Sequence, residues 1–509
     1  LLIGKEGVAL PEINIILGPP GTGKTENLLR IVDQELKNNT GPDKLAFVSF
    51  TTKATNEARD RAKVKFNYTD DDLPYFRTLH SFGKRQLNMA NSEVMRSADY
   101  KKFAEDYGVD MTFVHADWDD NGIVSTDNVF LKEYNKSRMK MMELDEYYNK
   151  ENLDFSWQEF LRARNSLEEF KHRNNKSDFT DMLSLFVETG NVPELDVVIV
   201  DEAQDLSLLQ WKVCEKLFKN AKRVYISGDD DQAIFRWAGA DVEYLINMKG
   251  NQKVLDQSYR CPKLVHNVAD EIVQRIINRR PKVWKGRDVD GSVRHHAYPE
   301  SVDVREGNWL ILATCKYMYN EMEDDLRIQG LPYKKNNKLP ISKELLNAVD
   351  TWDRLHCGEY VSYKNVKDVY SYLPSKTALE HGHKNMQSFI NEDSEYSIVD
   401  LQDDHGLKLT NVPWDVAFNS IGRKDAEYIR NLQRFDNITA DPKINMSTIH
   451  VAKGGECDNV MLLTDLSRAN QIEMENDSDD TNRVFYVGAT RAKKSLHIIS
   501  NQNYGGFRI

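Results

Sequence analysis

The run GPPGTGKT at 18–25 constrains the fold of this chain more than any other stretch. It follows the apolar segment INIIL (13–17) and leads into TENLLRIVDQEL (25–36), whose apolar residues recur at helical spacing. A strand, a glycine-rich turn and a helix in that order form a cradle for phosphate, because backbone N–H groups line the turn and the helix N-terminus faces the anion. Gly21 and Gly23 allow a backbone path that a side chain would obstruct. Within Gly18, Pro19, Pro20, Gly21, Thr22, Gly23, Lys24 and Thr25, the Lys24 ammonium is placed to reach terminal phosphates and the Thr25 hydroxyl to bind Mg²⁺.

What surrounds that turn is alternating. Short apolar runs recur ahead of helical or glycine-containing segments: LAFVSF (45–50), DVVIV (196–200) and RVYIS (223–227), then NWLILAT (308–314), INMSTI (444–449) and NVMLLT (459–464). Such alternation predicts βαβ units and parallel sheets. Two stretches differ. Residues 84–171 hold helical patterns such as WQEFLRARNSLEEFKHR (157–173), and residues 336–439 are polar and mixed around LLNAVDTWDRL (345–355). At 509 residues the chain exceeds what one core can serve, so three or four structural units are expected.

Composition excludes more than it assigns. With 40% apolar and 29% charged residues and no low-complexity tract, the chain reads as globular rather than disordered. No apolar run approaches the roughly 20 residues a membrane span requires, so no membrane partner is expected. The five cysteines form no C-x-x-C pair, which argues against a zinc site and for free thiols in a reducing, cytoplasmic setting. No signal peptide is read at the start, and the lack of an initiating Met fits truncation or processing. The net charge of −12 averages over acidic runs such as DDD (70–72) and ENDSDD (475–480). Two basic segments, KATNEARDRAKVK (53–65) and RRPKVWKGR (279–287), offset them and are read as solvated faces.

After DVVIV comes DEAQD (201–205), two carboxylates at a strand end. Asp201 suits Mg²⁺ held partly through water, and Glu202 can then orient or deprotonate an attacking water. At this point the sequence resembles the UvrD/Rep type within helicase superfamily 1. DEAQD looks like that family's motif II, and further blocks follow in the family's order: LAFVSFTTKATNEARDRA (45–62), TLHSF (78–82), DFTDML (178–183), GDDDQAIFRWAGAD (228–241), LDQSYR (255–260), STIHVAKGGECDNV (447–460) and VFYVGATRAKK (484–494).

The resemblance implies an α/β fold of two RecA-like P-loop motor domains, each with a mainly helical inserted subdomain. The first would comprise residues 1–83 and 172–250 with insertion 84–171; the second, 251–335 and 440–509 with insertion 336–439. It implies ATP and Mg²⁺ as cofactors, with Arg260 and Arg491 stabilising the γ-phosphate in transfer, Gln232 sensing it, Tyr259 stacking on the base and Glu456 on the sugar side. Phe50, Phe235 and Trp237 would contact bases, and Thr51, His80 and His450 the nucleic-acid backbone. The implied activity is that of an ATP-dependent DNA helicase (an ATP hydrolase, isomerase class): 3′→5′ translocation on single-stranded DNA with strand separation at single/double-strand junctions, protein partners unknown. A protein-stripping translocase that unwinds poorly and a nucleotide-controlled switch or loader are the alternatives. Three departures stand out. Residues 1–25 hold no Gln, where the family carries an adenine-reading one, so either the reader precedes this sequence or nucleotide choice is broad; Ala238 replaces a common Arg; and Gly455 replaces a usual Leu.

Overall fold

A computed structural model describes residues 11–50, 52–112, 114–115, 125–386, 393–500 and 505–509. The chain divides into two compact units. One runs to Asp290 and takes in Glu473–Thr490; the other comprises Gly291–Ile472 and Arg491–Ile509.

The first unit is built on a six-stranded sheet in the order Phe76–Thr78, Leu45–Ser49, Val197–Asp201, Arg223–Gly228, Glu12–Leu17, Asn251–Val254. All its pairings are parallel. Leu45–Ser49 and Val197–Asp201 are buried at every position, as a sheet covered on both faces demands of its central strands. Because parallel strands share one direction, the segments leaving Leu17, Ser49, Thr78, Asp201 and Gly228 all emerge at the carboxyl edge, where α/β folds place their ligands.

Between Phe76–Thr78 and Val197–Asp201 the chain is mainly helical, and Tyr100, Phe103, Leu131, Phe160 and Phe170 give this stretch a core of its own. The helix Phe179–Thr189 serves two cores at once. Phe179 and Met182 pack into the helical stretch, whereas Leu183 and Phe186 pack towards the sheet. Its N-cap, Asp178, accepts from the Asp181 amide at 2.9 Å and is paired with Arg138 at 2.8 Å and Lys171 at 3.1 Å. The DFTDML segment therefore fastens helices Val129–Met139 and Trp157–Asn174 by buried charge.

The second unit has its own six-stranded, all-parallel sheet: Ser292–His296, Ala492–Ile499, Cys457–Leu463, Trp309–Ala313, Ile444–Thr448, Tyr333–Lys335. Here the described residues of the helical stretch share the core of the sheet. Trp352, Leu401, Phe418 and Ile429 belong to the same buried cluster as Ile311, Met446 and Met461 of the sheet. Tyr428 sits at the joint: its ring lies 5.6 Å from that of Tyr333 on the edge strand, its hydroxyl donates to the Leu331 carbonyl at 2.9 Å, and Arg327 lies over the ring. Among the described residues no helix is long and apolar enough to cross a membrane.

A shared core predicts shared cooperativity. Tyr428→Ala should cost about 3–5 kcal/mol and lower the urea midpoint of the whole second unit in one transition. An early, separate transition confined to the helical stretch would contradict this.

Candidate functional site

The phosphate turn takes the shape its glycines permit. Gly21 and Gly23 have φ of 71° and 78°, and Gly23 begins the helix Lys24–Lys37 without a side-chain cap, which leaves the helix N-terminus to an anion. Thr22 donates its hydroxyl to the Pro19 carbonyl at 2.8 Å, and Lys24 Nζ donates to the Gly18 carbonyl at 2.7 Å, so the ammonium is folded over the turn. Thr25 opens the first helical turn.

The segment Gln257–Pro262 is laid on that turn. Ser258 Oγ donates to the Pro20 carbonyl at 2.7 Å and the Tyr259 amide to the Gly21 carbonyl at 2.8 Å. A Cβ at Gly21 would collide with the Arg260 side chain, so glycine is required there for space as well as for φ. Tyr259 is 72% exposed. Pro19 to Thr25, Tyr259 and Arg260 are thus gathered in one place.

Asp201 ends its strand almost wholly buried. Its Oδ1 accepts the Glu202 amide at 2.9 Å, but its Oδ2 is buried with no hydrogen-bond partner. Burial, and secondarily the Glu202 charge, push its pKa up to about 7, and nearby Lys24 opposes this. A buried carboxylate oxygen without a partner, in the field of the Lys24 ammonium, fits a bound cation such as Mg²⁺. Glu202 follows at φ 52°, a left-handed conformation that costs a non-glycine residue about 1–3 kcal/mol.

From Glu202 a bonded path runs to the next strand end. Gln204 Nε2 donates to Glu202 Oε2 at 2.6 Å, and Gln204 Oε1 accepts the Asp229 amide at 3.0 Å. Gln232 Nε2 in turn donates to Asp229 Oδ2 at 2.6 Å. Gln204 is not among the expected site residues, although it lies inside DEAQD.

The larger omission is Lys282. Its wholly buried side chain is paired with Asp229 at 3.2 Å, Asp230 at 2.5 Å and Asp231 at 2.9 Å. Arg279 grips Asp231 through two bonds of 2.7 Å, and the Arg280 amide donates to Asp230 at 2.7 Å. Arg483 adds a bond to the Asp230 carbonyl at 3.1 Å. Burial raises the Asp229 pKa, but Lys282 and then Lys24 outweigh it and hold the carboxyl below its usual value. The expectation of a solvated face is corrected here: Lys282, buried, and Arg279, half-buried, are the counter-charges of the aspartate turn. Part of the other basic segment is paired too, Lys63 with Asp70 at 3.0 Å and Arg61 with Glu26 at 2.6 Å.

The expected nucleic-acid residues divide by burial. Phe50, Phe235 and Trp237 form a run of rings with centroids 5.7 Å and 6.4 Å apart. Phe50 is buried at its base, while Trp237 is 46% exposed. His80 is inside the core, edge-on to Phe179 at 5.9 Å, its Nε2 without a partner and its pKa lowered by burial to about 4, against the pull of Asp178. Burial there leaves it a packed residue in this conformation. Thr51 lies outside the described residues. In the second unit, His450 follows the strand Ile444–Thr448, and Glu456 pairs with Lys493 at 3.3 Å. Arg491 is buried, with Nη1 donating to the Gly455 carbonyl at 3.1 Å.

Replacing Lys282 by Met keeps its length and removes its charge, leaving three buried carboxylates short of a counter-ion. Breaking a buried pair in this way costs about 3–5 kcal/mol. Denaturant unfolding of Lys282→Met should show that loss, and a stability equal to that of the parent would contradict the role given to the lysine.

Two families match this chain. The UvrD/REP helicase N-terminal domain matches residues 6–253, and the UvrD-like helicase C-terminal domain matches residues 359–503. Among curated proteins, the ATP-dependent DNA helicase PcrA of Staphylococcus aureus is 23% identical over 389 residues, 70% of this chain and 51% of the relative. PcrA of Bacillus subtilis is 22% identical over 386 residues, 70% of this chain and 50% of the relative. The chain therefore spans about half the length of the curated relatives it matches. With matches at both ends of the sequence and a phosphate turn, carboxylate pair and aspartate turn assembled at one sheet edge, the chain belongs to the UvrD/Rep-type helicases of superfamily 1.

Proposed function

We propose that this chain is an ATP-driven motor that translocates 3′→5′ on single-stranded DNA and separates strands at single/double-strand junctions, acting in the cytoplasm. The observation that carries the reading is the bonded path from Glu202 through Gln204 and Asp229 to Gln232, three residues before Phe235. It links the carboxylate suited to activating water with the turn that presents a base-stacking edge. The two motor domains are assigned as 1–83 with 172–250 and 251–335 with 440–509, carrying insertions 84–171 and 336–439.

Lys24 and the N-terminus of its helix bind the β- and γ-phosphates, and Arg260, beside Gly21, adds positive charge where the transferred phosphoryl develops negative charge. Arg491 is assigned the same task from its motif. Glu202 orients water for in-line attack and takes its proton. Mg²⁺, held by Thr25 and Asp201, supplies further neutralisation of the phosphates. Gln232 responds to the γ-phosphate, and because Asp229 ties it to the aspartate turn, a change at Gln232 is passed towards Phe235 and Trp237. Phe50, Thr51 and His450 are assigned to the strand by their motifs, as are Tyr259 and Glu456 to the nucleotide.

The test is the ATPase rate of the chain with and without oligo-dT, run beside a fluorescent duplex-unwinding assay. Strong stimulation by single strands is expected. A rate indifferent to DNA would point to a nucleotide-controlled switch instead, and stimulation without unwinding to a stripping translocase. Glu202→Gln should still bind nucleotide while turnover collapses; loss of binding would make Glu202 structural. Trp237→Ala should weaken single-strand affinity roughly 5- to 150-fold, from about 1–3 kcal/mol of base stacking, and abolish DNA stimulation at an unchanged melting temperature. A lowered melting temperature with parallel loss of every activity would instead mark Trp237 as a packing residue.

A further inference from the structure

The helix Leu79–Gln86 buries Leu79, His80, Phe82 and Gly83 and turns a different face outward. Ser81, Lys84 and Arg85 stand three and four residues apart on that outer face, flanked by Arg77 from the preceding strand and by Asn88 just past the helix end. With Met89, Asn91 and Arg96 they line an open basin of about 590 Å³. Four of the lining residues are cationic and none is acidic, in a chain whose net charge is −12.

Several cations elsewhere in the first unit are paired with carboxylates, as in the segment 53–65 and around Lys282. In this basin Arg77 and Arg85 form no close ion pair among the described residues; Asp70, the carboxylate that acts on Arg77, is itself paired with Arg59 and Lys63. Arg77 is nonetheless held in place, donating from Nε to the Pro74 carbonyl at 2.7 Å and from Nη1 to Ser81 Oγ at 3.3 Å. The charges act on one another. The Arg77 pKa is lowered by burial and then by Arg85 and Arg59, which outweigh Asp70, and that of Lys84 by burial and then by Arg96 and Arg77, which outweigh Glu93. An anion in the basin would relieve this repulsion. No aromatic ring lines the basin, so it has nothing on which to stack a base, and its volume suits a run of backbone more than a single small ion.

We propose that this basin seats the phosphodiester backbone of the single strand, gripping it without reading sequence. The inference rests on the single-strand motor proposed above and adds to it a second hold, separate from the run of rings that ends at Trp237. Each neutralised phosphate of a single strand contributes about 0.7 to the slope of log affinity against log salt. With the full chain and fluorescein-labelled oligo-dT, Lys84→Gln/Arg85→Gln should reduce that slope by about 1.4 and the affinity roughly 25-fold at 0.1 M salt.

Arg85→Gln alone changes an exposed side chain and should give half the slope change, which keeps the test open if the double variant folds poorly. Lys101→Gln/Lys102→Gln, on the exposed face of the helix Ser97–Tyr107 and outside the basin, should leave the slope at the parent value. A parent slope retained by the double variant overturns the basin and leaves the motor standing. A parent chain that does not bind oligo-dT overturns both. A third outcome also overturns the proposal: tripolyphosphate raises the melting temperature of the parent but not of the double variant while oligo-dT binding is unchanged, which identifies a site for free polyphosphate.

Discussion

A lysine side chain wholly removed from water stays charged only if its surroundings repay the lost hydration, and the surroundings of Lys282 are the carboxylates of Asp229, Asp230 and Asp231. The dependence is mutual, since three adjacent aspartates at a buried strand end would otherwise repel one another or take up protons. Geometry does the rest. The turn that holds them leaves the strand Arg223–Gly228 beside the phosphate turn, so fixing the aspartates fixes Gln232 and orients the Asp229 amide towards Gln204. Arg279 and Arg483 close the same turn from the segment near 280 and from the helix Ser478–Ala489. Parts of the sequence more than 200 residues apart are thereby made one electrostatic body.

The strands that the sequence made legible are those buried on both faces. INIIL, LAFVSF, DVVIV and NWLILAT are continuous apolar runs, and each became a strand within a residue or two of its expected limits. Phe76–Thr78, Asn251–Val254, Ser292–His296 and Tyr333–Lys335 were not legible, for a physical reason. They occupy sheet edges, where half the residues meet solvent and the apolar signal disappears. Ala492–Ile499 was not legible because two lysines follow its first residue, though its last five residues are buried.

At the site, chemistry carried by a local pattern was legible and chemistry carried by tertiary pairing was not. GPPGTGKT and DEAQD announce phosphate and metal binding because each function is completed within a few residues of one turn. RRPK announced only charge, since its meaning depends on aspartates some 50 residues earlier in the chain. The converse holds for His80. Its block suggested contact with a nucleic-acid backbone, yet the side chain is folded against Phe179, on the helix that joins the sheet to the helical stretch, and burial keeps its ring neutral above about pH 4.

That helix explains why charge of opposite fates can lie so close together. Asp178 draws Arg138 and Lys171 inward, so those cations serve packing and are unavailable to a ligand. The helix Leu79–Gln86, packed against the same partner through Gly83 and Phe82, carries no such acid on its outer face and leaves Arg77 and Arg85 facing the basin. A whole-chain charge of −12 therefore misdescribes how the protein meets an anion. Where carboxylates are within reach, as at Lys282 and Lys171, the positive charge is neutralised internally and contributes to stability. Where folding keeps them away, the positive charge remains outward, and the local field rather than the sum decides what can bind.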